Sequence, residues 1–417
     1  MFNVCFNEKQ VFMNALMKIM IIINVVIFVC NIRHTFLALI GLPKAGVTYP
    51  AANQMHHFAI LIPARNEEKC IGRLLDSLES MDYPQDLKSV YVILNGCTDR
   101  TGEIVSEHGM SIIQCDAEIK DKASALKIGF DYLSGHSEID AFVVFDADTV
   151  ADAAFLKELN KTFAHGARMV QGNRRGLGVS QTWIAQSYEI YYAMQNSFFN
   201  HPRAVRELSV AINGSGWAVS REVIERYGFS ANTLTEDIEY TLQAALEGET
   251  ISYCGKAVNY DDFVQGFCRS MKQRLRWTMG NTQCLRRYSG RLLSQACVYY
   301  RKSRRKALTC LDMLIVNMIP VAAALAILTG VVSFVCGIIM TAQGNMAQST
   351  AVSMLILLLA GWLGTGFMAA VALAKAHIDP LRCLKGVILF PLFLITWLPL
   401  VIISFFRREV RWAEMRK

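Results

Sequence analysis

Two carboxylates two residues apart, Asp146 and Asp148, follow directly on the apolar run Ala141-Phe142-Val143-Val144-Phe145. Asp-x-Asp suits a hard divalent cation, which takes oxygen ligands and can bridge carboxylates to a diphosphate. In isolation such a pair reads as a solvated turn or a helix cap. Other polar clusters argue for more. Arg65, Asn66 and Glu67 follow the apolar stretch 58–62, and Asn95 and Asp99 follow 90–94. Thr235-Glu236-Asp237 precedes Ile238, Leu242, Ala245 and Leu246 at helical spacing. A helix amino end keeps a carboxylate ionised, and an ionised, partly desolvated Asp237 is what a general base for a hydroxyl requires. The alternative is that Thr235 or Asp237 is simply an N-cap. Gln273, Arg276 and Trp277 share a helix face, where amide, guanidinium and indole suit a diphosphate and a stacked sugar ring. Their alternative is an interfacial helix at headgroup level.

These groups need a scaffold that brings them together. The run 141–145 is short, β-branched and aromatic, and uniformly apolar, which predicts a central strand of a parallel sheet buried on both faces. Further strands are expected at 58–62, 90–94 and 111–114, with a helix through Ile71, Leu74, Leu75 and Leu78 and another over about 122–133. Strands alternating with helices give a parallel sheet with right-handed crossovers. Ligands in open α/β sheets bind beyond the carboxyl ends of the strands, where the first, second and fourth loops become neighbours. Neither early turn carries G-x-G-x-x-G, so a dinucleotide cofactor is not expected. Asn213-Gly214-Ser215-Gly216-Trp217 offers close backbone approach or a tight turn. The aromatic helical stretch 182–199 is core, or faces a sugar chain or the bilayer.

Of the 417 residues, 53% are hydrophobic and 18% charged, and the apolar ones are concentrated. Runs near the start (about 11–32) and end (313–340, 350–374 and 386–406) approach or exceed the roughly 20 residues needed to span hydrocarbon. The expected organisation is a membrane anchor and linker over 1–54, a catalytic domain over 55–285, a basic interfacial segment over 286–311, and a transmembrane region with a basic tail over 312–417. The net charge of +7 gathers beside the apolar runs, as in Arg301, Lys302, Arg304, Arg305 and Lys306. The positive-inside bias and anionic lipid explain that placement, so membrane lipid rather than nucleic acid is the expected partner. Twelve cysteines without C-x-x-C pairing read as reduced, which places the middle of the chain on the cytoplasmic side of a multi-pass protein of the cell membrane. A full last span would put the basic tail outside, against that bias; Pro391 and Pro399 would instead break it into a re-entrant segment. Oligomeric state has no signal here.

Taken in order, Pro63-Ala64-Arg65-Asn66-Glu67, Asn95-Gly96-Cys97-Thr98-Asp99, Asp146-Ala147-Asp148, Thr235-Glu236-Asp237 and Gln273-x-x-Arg276-Trp277 resemble the motifs of membrane family-2 glycosyltransferases. Cellulose, chitin, hyaluronan and poly-N-acetylglucosamine synthases belong to that group. The resemblance implies an α/β GT-A fold, a Rossmann-like mostly parallel sheet, with inversion at the anomeric carbon. It implies a divalent cation (Mg or Mn) and a nucleotide-sugar donor, usually UDP-linked. By the same resemblance Ala64, Glu67, Asn95 and Asp99 fall near uracil and ribose, and Lys122 near the diphosphate. Asp146 approaches the nucleotide sugar, Asp148 with Asp146 takes the metal, and Asp237 is the base. Glu236, Gln273, Arg276 and Trp277 hold the diphosphate and the acceptor end. The related enzymes commonly carry Asp where this chain has Asn95; an amide still pairs with a uracil edge, but strict UDP preference is left open. The implied product is a growing polysaccharide or oligosaccharide; the alternative is a single sugar placed on a lipid, as ceramide glucosyltransferase-like enzymes do.

Overall fold

In the computed structural model the described residues are 2–41, 43–44, 46–116, 121–178, 181–342 and 348–407; side chains at 2–17, 26, 29–31, 340, 348–351 and 354 are not described. A long helix, α1 (Phe2–Gly41), precedes the sheet domain. That domain begins β1 (Phe58–Ala64), α2 (Ile71–Glu79), β2 (Lys88–Leu94), α3 (Thr101–Glu107), β3 (Ser111–Gln114), α4 (Lys122–Leu133) and β4 (Ala141–Val144). It continues β5 (Thr149–Ala151), α5 (Phe155–Ala164), β6 (Met169–Gly176), α6 (Trp183–Met194), α7 (His201–Ala204), β7 (Trp217–Ser220), α8 (Arg221–Tyr227), α9 (Glu236–Glu247) and β8 (Ile251–Asp261).

The eight strands form one sheet in the order β3-β2-β1-β4-β7-β6-β8-β5. The first four in that order are parallel, as the alternating pattern predicts. The second half is mixed: β7 runs antiparallel to both β4 and β6, and β5 antiparallel to β8. β4 is central because its side chains serve two cores. Ala141 and Val143 join Ile60, Ile62 and Leu74 on one face, whereas Phe142 and Val144 join Leu61, Phe130 and Trp217 on the other. Fully burying each of these larger apolar side chains is worth about 1.5–3 kcal/mol. A charge anywhere in 141–144 would therefore break the sheet at its middle.

Beyond β8, α10 (Phe267–Tyr300) leads to α11 (Arg304–Ala342), α12 (Gln348–Lys375), α13 (Leu384–Ile395) and α14 (Trp397–Phe406). Among the described residues three stretches are long and apolar enough to cross a membrane: Arg304–Ile339, Leu355–Lys375 and Pro380–Phe406. Their outer faces expose Leu355, Ile356, Leu363 and Phe367, as a lipid-facing surface does. The expected first span, about 11–32, lies on α1 but falls partly outside the described side chains. The middle of the loop after α11 and the basic tail also lie outside the described residues.

The last apolar stretch is interrupted at Thr396, with Pro391 inside α13 and Pro399 in the first turn of α14, where a proline cannot bond back to Ile395. Arg274, fully buried on α10, donates from Nη1 to the Phe393 carbonyl (3.1 Å) and to Thr396 Oγ1 (2.8 Å). Its guanidinium also lies 4.2 Å from the Phe393 ring centroid. Irregular backbone inside an apolar segment is stable where protein groups satisfy it, and Arg274 does so here. A second buried charge joins the two regions. Arg33 of α1 and Arg203 of α7 both pair with Asp312 of α11.

Candidate active site

The polar loops meet at the carboxyl ends of the parallel strands. Asn66 adopts φ 57°, and its Oδ1 accepts from the Thr98 amide at 2.7 Å, which ties the loop after β1 to the loop after β2. Asp99 stitches the same loops. Its Oδ1 accepts from the Thr101 amide (3.0 Å) and hydroxyl (2.6 Å), and its Oδ2 from the Glu68 amide (3.1 Å). Burial works against its ionised form, but the Thr101 and Glu68 hydrogen bonds prevail and hold its carboxyl below the usual range. Glu67 is positioned by its amide, which donates to Thr101 Oγ1 at 2.9 Å. Ala64, at the end of β1, accepts from the Asn95 amide at 2.9 Å. The Asn95 side chain is 4% exposed, donates to the Asp121 carbonyl at 3.3 Å, and leaves Oδ1 buried without a partner among the described residues. These four residues line one side of the strand ends.

Lys122 is the hub of the other side. Asp121 caps α4 by accepting from the Ser124 amide at 2.8 Å, so Lys122 starts the helix at the sheet edge. Its Nζ lies 2.6 Å from Asp146 Oδ1 and 2.7 Å from Glu236 Oε1, and donates to the Gly214 carbonyl at 3.2 Å. Burial disfavours the ammonium, but Asp146 and Glu236 more than offset it, and the group is held above the ordinary lysine range. Burial likewise opposes the Asp146 carboxylate, yet Lys122, Arg174 and Arg276 hold it below its ordinary value. The Asn213-Gly214-Ser215 segment is the close-approach loop. Gly214 has φ 91°, and a Cβ there would lie 2.8 Å from Arg174 Nη1.

Asp237 sits in the first turn of α9, beside Glu236. Thr235 occupies the N-cap position, as the capping alternative expects, but makes no side-chain cap bond. Asp237 Oδ1 accepts from the Ile238 amide at 2.8 Å. Burial and then the Glu236 charge push its carboxyl up to about 6. Asp237 is thus ionised at neutral pH and basic enough to take a proton. Gln273, Arg276 and Trp277 are half-buried on α10. Arg276 contributes to holding Asp146 ionised, and Trp277 packs edge-on against Tyr188 with ring centroids 6.0 Å apart.

Two residues escaped the sequence reading. Arg174 pairs through Nε with Asp261, donates from Nη1 to the Asn213 carbonyl (2.6 Å), and lies 4.8 Å from the Tyr192 ring centroid. Asp261 also accepts from Thr149 Oγ1 at 2.9 Å. Burial raises the Asp261 carboxyl to about 6; Arg174 opposes this, and Asp148 and Asp146 add to it. No motif flags either residue, because they meet across β6 and β8.

The donor set can be tested against a divalent cation. Asp146, Asp148, Asp261, Glu236 and Asp237 form a carboxylate-rich centre facing Lys122, Arg174 and Arg276. Burial is the main cause of the raised Asp237 and Asp261 carboxyls, and the neighbouring carboxylates Glu236, Asp148 and Asp146 add to it. Among the described residues no three ligands are already gathered around one point. One or two of these carboxylates would suffice for Mg, which commonly takes its remaining ligands from substrate phosphates and water.

A family model described as glycosyltransferase-like family 2 matches residues 56–280, more than half of the chain. The probable glycosyltransferase YdaM of Bacillus subtilis is 28% identical over 233 residues, 54% of each chain. The β-monoglucosyldiacylglycerol synthase of Synechocystis is 25% identical over 230 residues, 54% of this chain and 47% of that one. The chain thus spans about half the length of these curated relatives. A solved mannosyltransferase from Pyrobaculum calidifontis, PcManGT, in complex with GDP-Man and Mn2+, superposes with a TM-score of 0.58 at 17% identity, covering 93% of this chain and 99% of that one. The fold is GT-A, and the chain belongs to glycosyltransferase family 2. Among its described residues are three helices long and apolar enough to cross a membrane.

Proposed function

We propose that the chain transfers a sugar, with inversion, from a nucleotide-sugar to a hydroxyl of a growing saccharide held at the membrane. The observation that carries this reading is the Lys122 ammonium, 2.6 Å from Asp146 and 2.7 Å from Glu236, because it joins the two-aspartate loop to the helix that starts with the candidate base. Asp237 takes the acceptor proton as the oxygen attacks the anomeric carbon in line. Lys122 and Arg276 stand where the diphosphate leaves, so charge developing there meets fixed cations at no reorganisation cost. Ala64, Glu67, Asn95 and Asp99 seat the base and ribose, with Asn95 Oδ1 free to accept an imino N–H such as that of uracil. Gln273 and Trp277 orient the acceptor end. Asp148 and Asp146 would hold a divalent cation, which when bound adds positive charge against the diphosphate.

The catalytic domain is proposed to face the cytoplasm from a multi-pass membrane region. Purified chain supplied with labelled UDP-glucose, UDP-N-acetylglucosamine, UDP-glucuronate or GDP-mannose, with Mn or Mg, tests the reading: one donor is consumed and its nucleoside diphosphate released. Consumption of none of them removes it. A second reading, one sugar placed on a lipid alcohol, is favoured by the similarity to a β-monoglucosyldiacylglycerol synthase. Long glycosidase-sensitive products support the first reading, and a single lipid-soluble product the second.

A further inference from the structure

A cavity of about 510 Å³ opens where the ends of β6 and β8 meet α6 and the turn after α12. Small-molecule sites typically measure roughly 300–1,000 Å³. One side reaches the reacting centre, since Asp261 borders both the cavity and the Arg174–Asp148 cluster. Another side is Ala376, His377 and Ile378, which directly follow the apolar span Leu355–Lys375. The cavity therefore connects the carboxylate centre to the end of a membrane helix.

Its lining mixes ring edges with hydrogen-bonding groups. Glu189 of α6 is 8% exposed, and burial raises its carboxyl to about 7, against the Gly176 amide and the Arg175 charge. A carboxyl near half protonation both donates and accepts, as a hydroxyl partner requires. Its place is kept by Gly176, where any Cβ would collide with the Glu189 carboxyl. Arg175, on the same wall, has a buried Nε with no hydrogen-bond partner among the described residues. Gln186 is committed to bracing the wall, accepting from the Gly386 amide at 2.7 Å. Asp261 and Asp262 border the same space and oppose an anionic occupant.

We propose that this cavity is the acceptor subsite and takes an uncharged, hydroxyl-rich head, either the end of a glycan or the polyol head of a lipid, with Glu189 and Arg175 gripping its hydroxyls. The proposal rests on the transferase reading and adds where the acceptor sits and what chemistry selects it. The full chain in phospholipid nanodiscs is titrated, without donor, with octyl β-glucoside below its micellar concentration and separately with cellobiose. Binding is read by saturation-transfer NMR. Ring protons are expected to saturate in the wild type, with at least tenfold weaker binding in Ala376→Phe and Glu189→Leu and unchanged binding in Glu189→Gln. The rim substitution Ala376→Phe keeps the test open should Glu189→Leu fail to fold. Binding of both probes assigns the head to a glycan end, and binding of the glucoside alone to a lipid. Ring saturation that is unaltered in Ala376→Phe, or absent from the wild type with both probes, overturns the proposal. A wild type that binds the glucoside yet releases no nucleotide from any sugar nucleotide keeps the cavity assignment and removes the transferase reading.

Discussion

Gly280 of α10 packs directly on Thr235, the residue before the Glu236–Asp237 pair. A Cβ at Gly280 would lie 2.8 Å from the Thr235 backbone nitrogen and closer still to its hydroxyl. The helix that carries Gln273, Arg276 and Trp277 thus presses, three residues later, on the turn that aims Asp237. One contact links the helix of the proposed diphosphate-side groups to the turn that carries the proposed base.

Gly280→Ala is expected to cut turnover at least tenfold while donor affinity changes by less than threefold. A methyl there must push Thr235 aside, and a shift of about 1 Å in a reacting group costs on the order of 10²-fold. Steady-state kinetics beside donor titration by calorimetry separates the two quantities. A kcat within twofold of wild type would show that the turn yields without moving Asp237.

Asp237→Asn should keep donor binding and lose roughly 10²-fold or more in kcat, the usual effect of removing a general base. The pH profile carries the sign. Asp237 must be ionised to accept a proton, and its carboxyl stands near 6, so kcat/KM is flat above that pH and falls about tenfold per unit below it. The variant's residual activity lacks this acid limb. An unchanged limb in Asp237→Asn assigns it to another group, of which Asp261, also near 6, is the first to test.

Arg274→Met removes two hydrogen bonds that hold the break at Thr396. Charged hydrogen bonds contribute about 1.5–3 kcal/mol, so a loss of that size is expected in detergent-solubilised unfolding. Arg274→Lys should recover only part of this, because a shorter side chain ending in a compact ammonium loses the planar guanidinium that lies over the Phe393 ring. Wild-type stability in both variants would mean that α13 and α14 hold their angle unaided.

Chelation tests the carboxylate centre. Removing divalent cations with EDTA should abolish transfer, and restoring Mn or Mg should recover it. Asp148→Asn should need at least tenfold more cation for half-maximal rate, since one of few protein ligands is weakened. Full activity in EDTA would leave Lys122, Arg174 and Arg276 as the only countercharges.

The parallel half of the fold was legible because its signals are local. The run 141–144 is apolar at every position, since its two faces feed two cores, and each polar loop follows its strand directly. Parallel topology then brings Asn66, Asp99, Asp146 and Lys122 to one edge. The antiparallel half was not legible. β5 is three residues long, and the Arg174–Asp261 pair joins positions 87 apart that no spacing links. Arg274 was passed over for the opposite reason. It lies inside the Gln273-to-Trp277 motif, but the helix turns it away from Arg276 and into the membrane-side core. Of the two prolines in the last apolar stretch, Pro391 stays inside α13, whereas the interruption falls just ahead of Pro399 and where Arg274 can satisfy it.

The carboxylate of Asp312 is shared by the leading helix through Arg33, by the sheet domain through Arg203, and by its own span. Tilting the catalytic rim would break both ion pairs together, which resists any change in its height above the spans. Stand-off distance then becomes a filter in its own right. An alcohol carried one sugar too far from the bilayer arrives out of line with the donor, however tightly it is bound.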